Sequence, residues 1–275
     1  MIDMPLLQET QKIFTYPTEK KIHGKFQIQN RRFLGNKFKL LDFISDIVKF
    51  KCGAVRSLCD IFAGTGVVGY RFNSRNVKII SNDILYSNYL PLRTFLKSKQ
   101  INLDKLQDSI RYLNSLNTKR DNYFSIHFGD RYFTRDNARK IGAIREAIEG
   151  MTINMDEKAA LITSLLYAAD KIANTVGHYD AYRADMDRVQ PLLLLMPRVS
   201  FENNENNEVY QEDANSLIRK ITCDVLYVDP PYNSRQYCDS YHLLENLAIW
   251  DKPSVYGKAK KMDRRHIKSK YCMKS

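Results

Sequence analysis

This sequence predicts a doubly wound α/β fold, and three observations predict it. Residues 55–62 (VRSLCDIF) form a short apolar run that ends at the turn Gly64-Thr65-Gly66-Val67-Val68-Gly69. A second run, VKII at 77–80, ends at Ser81-Asn82-Asp83. A third, VLYV at 225–228, ends at Asp229-Pro230-Pro231-Tyr232. Strand, glycine turn, helix and strand is the opening of an open parallel sheet, and the third run resumes it.

The elements follow in order. Residues 1–30 are polar with no clear period. Residues 37–50 carry Phe38, Leu40, Leu41, Phe43, Ile44, Ile47 and Val48 at helical spacing, which predicts a helix with one apolar face. A strand is expected at 55–62, a helix after Gly66 and a strand at 77–80. From 86 to 206 the pattern is mainly helical and predicts an inserted unit. Within it Ile141, Ile144 and Ile148 repeat at i, i+3 and i+7, and Asn154 with Glu157 forms a capping pair before AALITSLLYAADKIA. ENNENNE at 202–208 is a polar seam. The expected organisation is a discontinuous catalytic domain, 1–85 with 207–275, interrupted by 86–206.

Composition limits the function classes. The chain has 275 residues with 44% hydrophobic and 27% charged, the balance of a soluble globular protein. No apolar run approaches the ~18 residues of a membrane span. The five cysteines form no C-x-x-C pair, which predicts reduced thiols, no metal centre and a cytoplasmic location. The net charge of +12 points to a polyanionic partner. It is concentrated: residues 20–39 carry +7 and residues 252–275 carry +8, so the remainder is net −3.

The chemistry lies in two motifs. The glycine turn lets backbone approach a ligand, with helix N–H groups behind it. Asp83, 17 residues beyond Gly66, is placed to bond ribose hydroxyls. Together they predict a nucleoside-containing cofactor without separating a dinucleotide from S-adenosylmethionine. Asp229-Pro230-Pro231-Tyr232 makes that separation. Two prolines fix the backbone and remove two N–H donors. The Asp229 carboxylate and the Pro230 carbonyl can accept from an exocyclic amino group, while Tyr232 stacks on the base that carries it.

On these residues the chain resembles the adenine-specific DNA methyltransferases of type II restriction–modification systems. Asp60-Ile61-Phe62-Ala63-Gly64-Thr65-Gly66 and D-P-P-Y are that family's two signature blocks. Phe33-Leu34-Gly35-Asn36-Lys37 resembles its N-terminal cofactor motif, and the motif order is that of the group with its recognition region in the middle. The resemblance implies a Rossmann-like S-adenosylmethionine-dependent sheet with a helical insertion. It implies cofactor contacts from Phe33, Lys37, Asp60, Phe62, Gly64, Gly66, Asp83, Asp213 and Asp229, and catalytic roles for Asp229, Pro230 and Tyr232. It also implies double-stranded DNA as substrate and a cognate restriction endonuclease as functional partner.

A base inside a duplex must be flipped out to reach such a pocket. The basic segments 20–39 and 252–275 are candidates to line the duplex. The insertion is the expected reader of sequence, with Arg131, Tyr132, Arg135, Arg139, Arg145, His178, Tyr179, Tyr182 and Arg183, and Arg235 follows the tetrapeptide. In the family the sheet continues past the helix expected at 241–250, yet 252–275 lacks a strand pattern. The expectation is therefore missing C-terminal strands, an open apolar edge at the catalytic strand, and a truncated chain or one completed by a second polypeptide. Alternatives are an RNA adenine methyltransferase, a cytosine amino-methyltransferase, a non-catalytic DNA-binding remnant and, more remotely, a dinucleotide-dependent oxidoreductase.

Overall fold

The computed structural model describes residues 24–186, 190–201, 205–231 and 234–272. The elements run β1 (Lys25–Phe26), α1 (Leu41–Cys52), β2 (Ser57–Asp60), α2 (Val67–Phe72), β3 (Lys78–Asn82) and α3 (Tyr86–Leu92). A π turn, Arg93–Lys97, continues α3 just after Pro91, which has no N–H to close an ordinary turn. Then come α4 (Leu103–Ser115), α5 (Tyr123–Phe128), α6 (Arg135–Glu149), α7 (Met155–Ile172) and β4 (Met196–Pro197). The chain closes with β5 (Glu208–Tyr210), α8 (Ala214–Leu217), β6 (Val225–Tyr227), α9 (Tyr237–Ser240) and α10 (His242–Ile249).

Four strands form one parallel sheet in the order β5-β3-β2-β6. Leu58 lies opposite Ile79 and Val225, and Cys59 lies opposite Ile80 and Leu226. Because side chains alternate across a strand, Leu58 and Ile79 pack with Leu92, Leu96 and Val209 on one face. Cys59 and Ile80 pack with Ile61 and Ala214 on the other. The three sequence runs thus become β2, β3 and β6, of which β2 and β3 are central and buried, as a parallel sheet requires. β6 is the edge: among the described residues no strand pairs with its far side, and Leu226 and Val228 are exposed.

The helical reading of 86–206 holds for α3 to α7. Asn154 and Glu157 make the expected reciprocal cap of α7, and Ile141, Ile144 and Ile148 are wholly buried. These helices share one apolar core with α10, whose Leu243, Leu244 and Leu247 pack among the α6 and α7 side chains. Glu245 of α10 accepts the backbone N–H groups of Tyr86 and Ser87, both at 2.8 Å, and so caps the start of α3.

One expectation is corrected. The 37–50 helix forms, but Phe43, Ile47 and Phe50 of α1 are exposed, and only Leu41 and Ile44 reach the cluster around Val67 and Val68. In the N-terminal stretch, which shows no sequence period, β1 pairs in parallel with β4, Phe26 opposite Pro197.

Candidate active site

The carboxyl edge of the sheet gathers acids. Asp60 ends β2, Asp83 follows β3, Asp213 follows β5 and Asp229 follows β6. All four line one cleft of about 1010 Å³ measured out to its mouth. Parallel α/β sheets bind ligands there because the loops leaving the strands part in opposite directions.

The glycine turn shapes the floor. Gly66 has φ +79, and a Cβ on it would sit 2.4 Å from Leu92 Cδ2. Gly64 has φ +53, and its Cβ would meet the Phe33 ring at 2.9 Å. Both positions therefore need glycine for backbone conformation and for space.

Asp83 accepts from Gly64 N–H and Leu85 N–H, each at 2.9 Å, one on each carboxylate oxygen. The Asn88 side chain also interacts with this carboxylate, which still leaves lone-pair capacity for a further donor. Burial pushes its pKa up to about 6 against the pull of those N–H groups and of Arg31. Asp60 is 1% exposed, and among the described residues its Oδ1 has no hydrogen-bond partner. Burial first, then the charges of Asp229 and Asp83, push its pKa up to about 7, with Lys37 opposing. Asp213 caps α8, its Oδ1 accepting from Asn215 N–H at 3.0 Å and Ser216 N–H at 3.2 Å. Its helix-cap role and its place in the cleft coexist.

Lys37 forms an ion pair with Asp229 and donates to Gly35 O at 2.9 Å. Its loop is clamped from the other side. Leu34 N–H donates to Tyr241 Oη at 2.7 Å, and Tyr237 Oη donates to Leu34 O at 3.2 Å. Phe33 stacks on Tyr241 at 4.6 Å and on Tyr237 at 5.3 Å. Buried Arg31 lies 5.6 Å from the Phe33 and Tyr241 rings, and its Nη1 donates to Ser87 O and Asn88 Oδ1 at 2.9 Å.

The cleft brings together most residues singled out from sequence. Phe33, Lys37, Asp60, Phe62, Gly64, Asp83, Asp213 and Asp229 line it, whereas Gly66 is not among the lining residues and lies close against Leu92 and Ile28. Pro231, rather than Pro230, lines it, although Pro230 stands directly beside Asp229. Tyr232 lies outside the described residues. Among the described residues no cluster of His, Cys, Asp and Glu has the make-up of a metal site.

Sequence reading missed three contributors. Asn82 donates to Ile61 O and Glu212 O and accepts from Glu212 N–H, tying the loops after β2 and β5 together. Gln236 and the segment 267–271 also line the cleft. The tetrapeptide's neighbourhood could have pointed to Gln236; nothing marked the other two.

The expected DNA contacts divide. Tyr179 is wholly buried, and its hydroxyl donates to Asp170 Oδ1 at 3.0 Å; it is core, which corrects its assignment. Tyr132 and Arg145 are likewise buried, and Arg145 donates to Leu247 O and Ala248 O at the end of α10. Arg135 is spent on Asp130 at 2.9 Å and on Ser125 O. His178 is half-buried with Nδ1 3.5 Å from Asp180 Oδ2. Arg131 is half-buried, whereas Arg183 and Arg235 are exposed. The segment 20–39 is also corrected in part: Arg31 is buried, Arg32 bonds Asp170 and Lys37 bonds Asp229. Lys20 and Lys21 lie outside the described residues.

A parallel sheet whose carboxyl edge carries a glycine turn, an Asp-Pro-Pro turn and four acids in one cleft defines an open α/β protein with its ligand cleft at the usual edge. The comparisons are narrower. Residues 33–275 match the family model for D12 class N6 adenine-specific DNA methyltransferases, and the chain belongs to that family. It is 34% identical over 256 residues to the type II methyltransferase M.NlaIII of Neisseria lactamica, covering 88% of this chain and 76% of that one. It is 35% identical over 263 residues to the type II methyltransferase M.FokI of Planomicrobium okeanokoites, covering 88% of this chain and 40% of that one. The type II methyltransferase M.CviAII of Paramecium bursaria Chlorella virus 1 is 32% identical over 253 residues, with 88% and 75% covered. The chain thus spans about three quarters of two of these relatives and two fifths of the third.

Proposed function

We propose that the chain methylates the exocyclic amino group of an adenine flipped out of a specific DNA site, with S-adenosylmethionine as donor. Its role is to protect that site, in the cytoplasm, from a cognate restriction endonuclease. The observation that carries this reading is a single cleft holding Asp229 beside Asp60 and Asp83.

The residues fit the donor. The Asp60 Oδ1, unpartnered among the described residues, suits an ammonium, Asp83 keeps lone-pair capacity for a ribose hydroxyl, and Gly64 keeps a side chain off the Phe33 ring that lines the cleft. The donor supplies an electrophilic methyl on a sulfonium. Phe62 and Asp213 are assigned to its adenine end and Phe33 to its flank. Asp229 and the Pro230 carbonyl accept both amino protons of the target base, which aims the nitrogen lone pair away from the ring plane. Tyr232, by the sequence motif, stacks on that base. Lys37 holds the Asp229 carboxylate and is assigned to orienting it. Arg131, Arg183, Arg235 and His178 are proposed for DNA contact. The far side of β6, unpaired among the described residues and with Leu226 and Val228 exposed, supports one addition: another strand, from this or a second polypeptide, pairs there.

The test is transfer of labelled methyl from S-adenosylmethionine to unmethylated DNA, alone and with candidate partner polypeptides. Label in adenine supports the reading. Asp229→Ala should cut transfer by about a thousandfold or more while DNA binding persists. Label confined to RNA, or undiminished transfer by the variant, sinks it.

A further inference from the structure

The C-terminal segment folds back onto the cleft. Its basic composition gives no hint of this. Ile267, Ser269 and Tyr271 line the same cleft as Asp60 and Asp83. The Gln236 amide holds the segment at both backbone groups of one residue. Gln236 Nε2 donates to Ser269 O at 2.9 Å, and Ser269 N–H donates to Gln236 Oε1 at 2.8 Å. Beyond that point Tyr271 Oη donates to Asn215 Oδ1 at 2.8 Å, and the Tyr271 ring meets Phe62 edge-on at 5.2 Å and 84°. Cys272 is buried, its thiol directed to Arg235 O at 3.3 Å.

We propose that residues 267–271 are a strap forming the outer wall of the methyl-donor subsite, and that Tyr271 binds the donor's adenine together with Phe62. The inference rests on the reading of this cleft as an S-adenosylmethionine site. The strap spans from the loop after the Asp-Pro-Pro turn, through Gln236, to the start of α8, through Asn215. Asp213, the acid assigned to the adenine end, caps that same helix start. A purine needs flat apolar surface and a fixed edge. Phe62 and Tyr271 supply two rings at right angles, and the bond to Asn215 fixes how the Tyr271 ring is turned. The ring is 45% exposed, so it is not committed to the core and is available to a ligand. Directional bonds at Ser269 and Tyr271, more than burial, hold the middle of the strap. It can therefore open without unfolding the sheet, and donor exchange runs through its release.

The experiment measures affinity and dissociation rate of S-adenosylmethionine, and of the non-reactive analogue sinefungin, by calorimetry and stopped flow. Wild type, Tyr271→Ala, Tyr271→Phe, Gln236→Ala and Gln236→Glu are compared, with melting temperature as the check on folding. Expected are about tenfold weaker binding in Tyr271→Ala and in both Gln236 variants, carried by faster dissociation. Tyr271→Phe keeps the ring and stays within about threefold. Bound donor should slow hydrogen exchange at the Ser269 amide. If wild type binds and the folded Tyr271→Ala and Gln236→Ala proteins bind equally well, the strap proposal is overturned. If wild type binds neither ligand, the donor assignment itself fails.

Discussion

Asp60 answers two demands that pull against each other. Buried and with one oxygen unpartnered, its carboxyl has a pKa pushed up to about 7, well above the usual value near 4. Between those values the folded protein binds more protons than the unfolded chain. Stability of the ligand-free protein from this group is therefore gained as pH falls from about 7 toward 4, and is lowest above 7. Donor affinity should run the other way, because an ammonium needs the carboxylate, and should fall as pH drops below about 7. Asp60→Asn should raise the melting temperature of the free protein at pH 8 by on the order of 4 °C. It should weaken the donor about a hundredfold and flatten both pH dependences. Scanning calorimetry with and without donor across pH 5–9 checks all three. Asp60, Asp83 and Asp229 were legible in sequence because each sits at a strand end beside a turn motif. Arg31 was not: counted along the chain it is one of seven cations in a basic stretch, and only the fold shows it buried against two rings. Asn82 was equally hidden, since an amide that bonds distant backbone carries neither period nor charge.

At the scale of elements, turns and helix starts carry the consequences. Gly66→Ala would place a methyl 2.4 Å from Leu92 in a left-handed conformation and should destabilise the protein by about 2 kcal/mol. Denaturant titration at constant slope measures it. Glu245→Ala leaves the Tyr86 and Ser87 N–H groups without acceptors and should cost about 2–3 kcal/mol. Glu245→Gln, which keeps one acceptor oxygen, should cost about half of that. Strands β2, β3 and β6 and helices α6 and α7 were readable because short apolar runs ending in turn residues, a 3.6 period and an Asn–Glu cap are local signals. The β1–β4 pair was not. Two residues make no period, and their partners are separated by most of the insertion. The burial of Tyr179 was unreadable for a related reason: its partner is Asp170 on α7, and an aromatic in a polar loop looks like a surface reader until α7 is in place.

Across the whole molecule, charge and apolar surface are distributed against first expectation. Much of the N-terminal basic segment is consumed by internal acids and rings, while the C-terminal one supplies both cleft lining and exposed cations such as Lys268 and Lys270. Lys261 and Arg264 of that segment pair with Asp180 and Asp239, so even there only part of the charge faces outward. Affinity for DNA should fall with salt in proportion to the exposed cations alone. Phe43, Ile47 and Phe50 make one exposed stripe on α1, at i, i+4 and i+7. Replacing Phe43 and Phe50 by Lys should reduce self-association in light scattering and change stability by no more than about 0.5 kcal/mol per site.

The pairing of Lys37 with Asp229 gives the site a resident competitor. On the proposed reading, an adenine amino group arriving at the carboxylate would exchange with an ammonium of the same chain, not with bulk water. A stray amine meets that occupant and offers one bond for another. A stacked base offers two acceptor contacts and a ring, and displaces it. The exchange also works in reverse. Methylation leaves the amino group with one proton fewer to donate, while the lysine remains tethered a few ångströms away. On that reading the side chain that yields to the substrate would also help to expel the product.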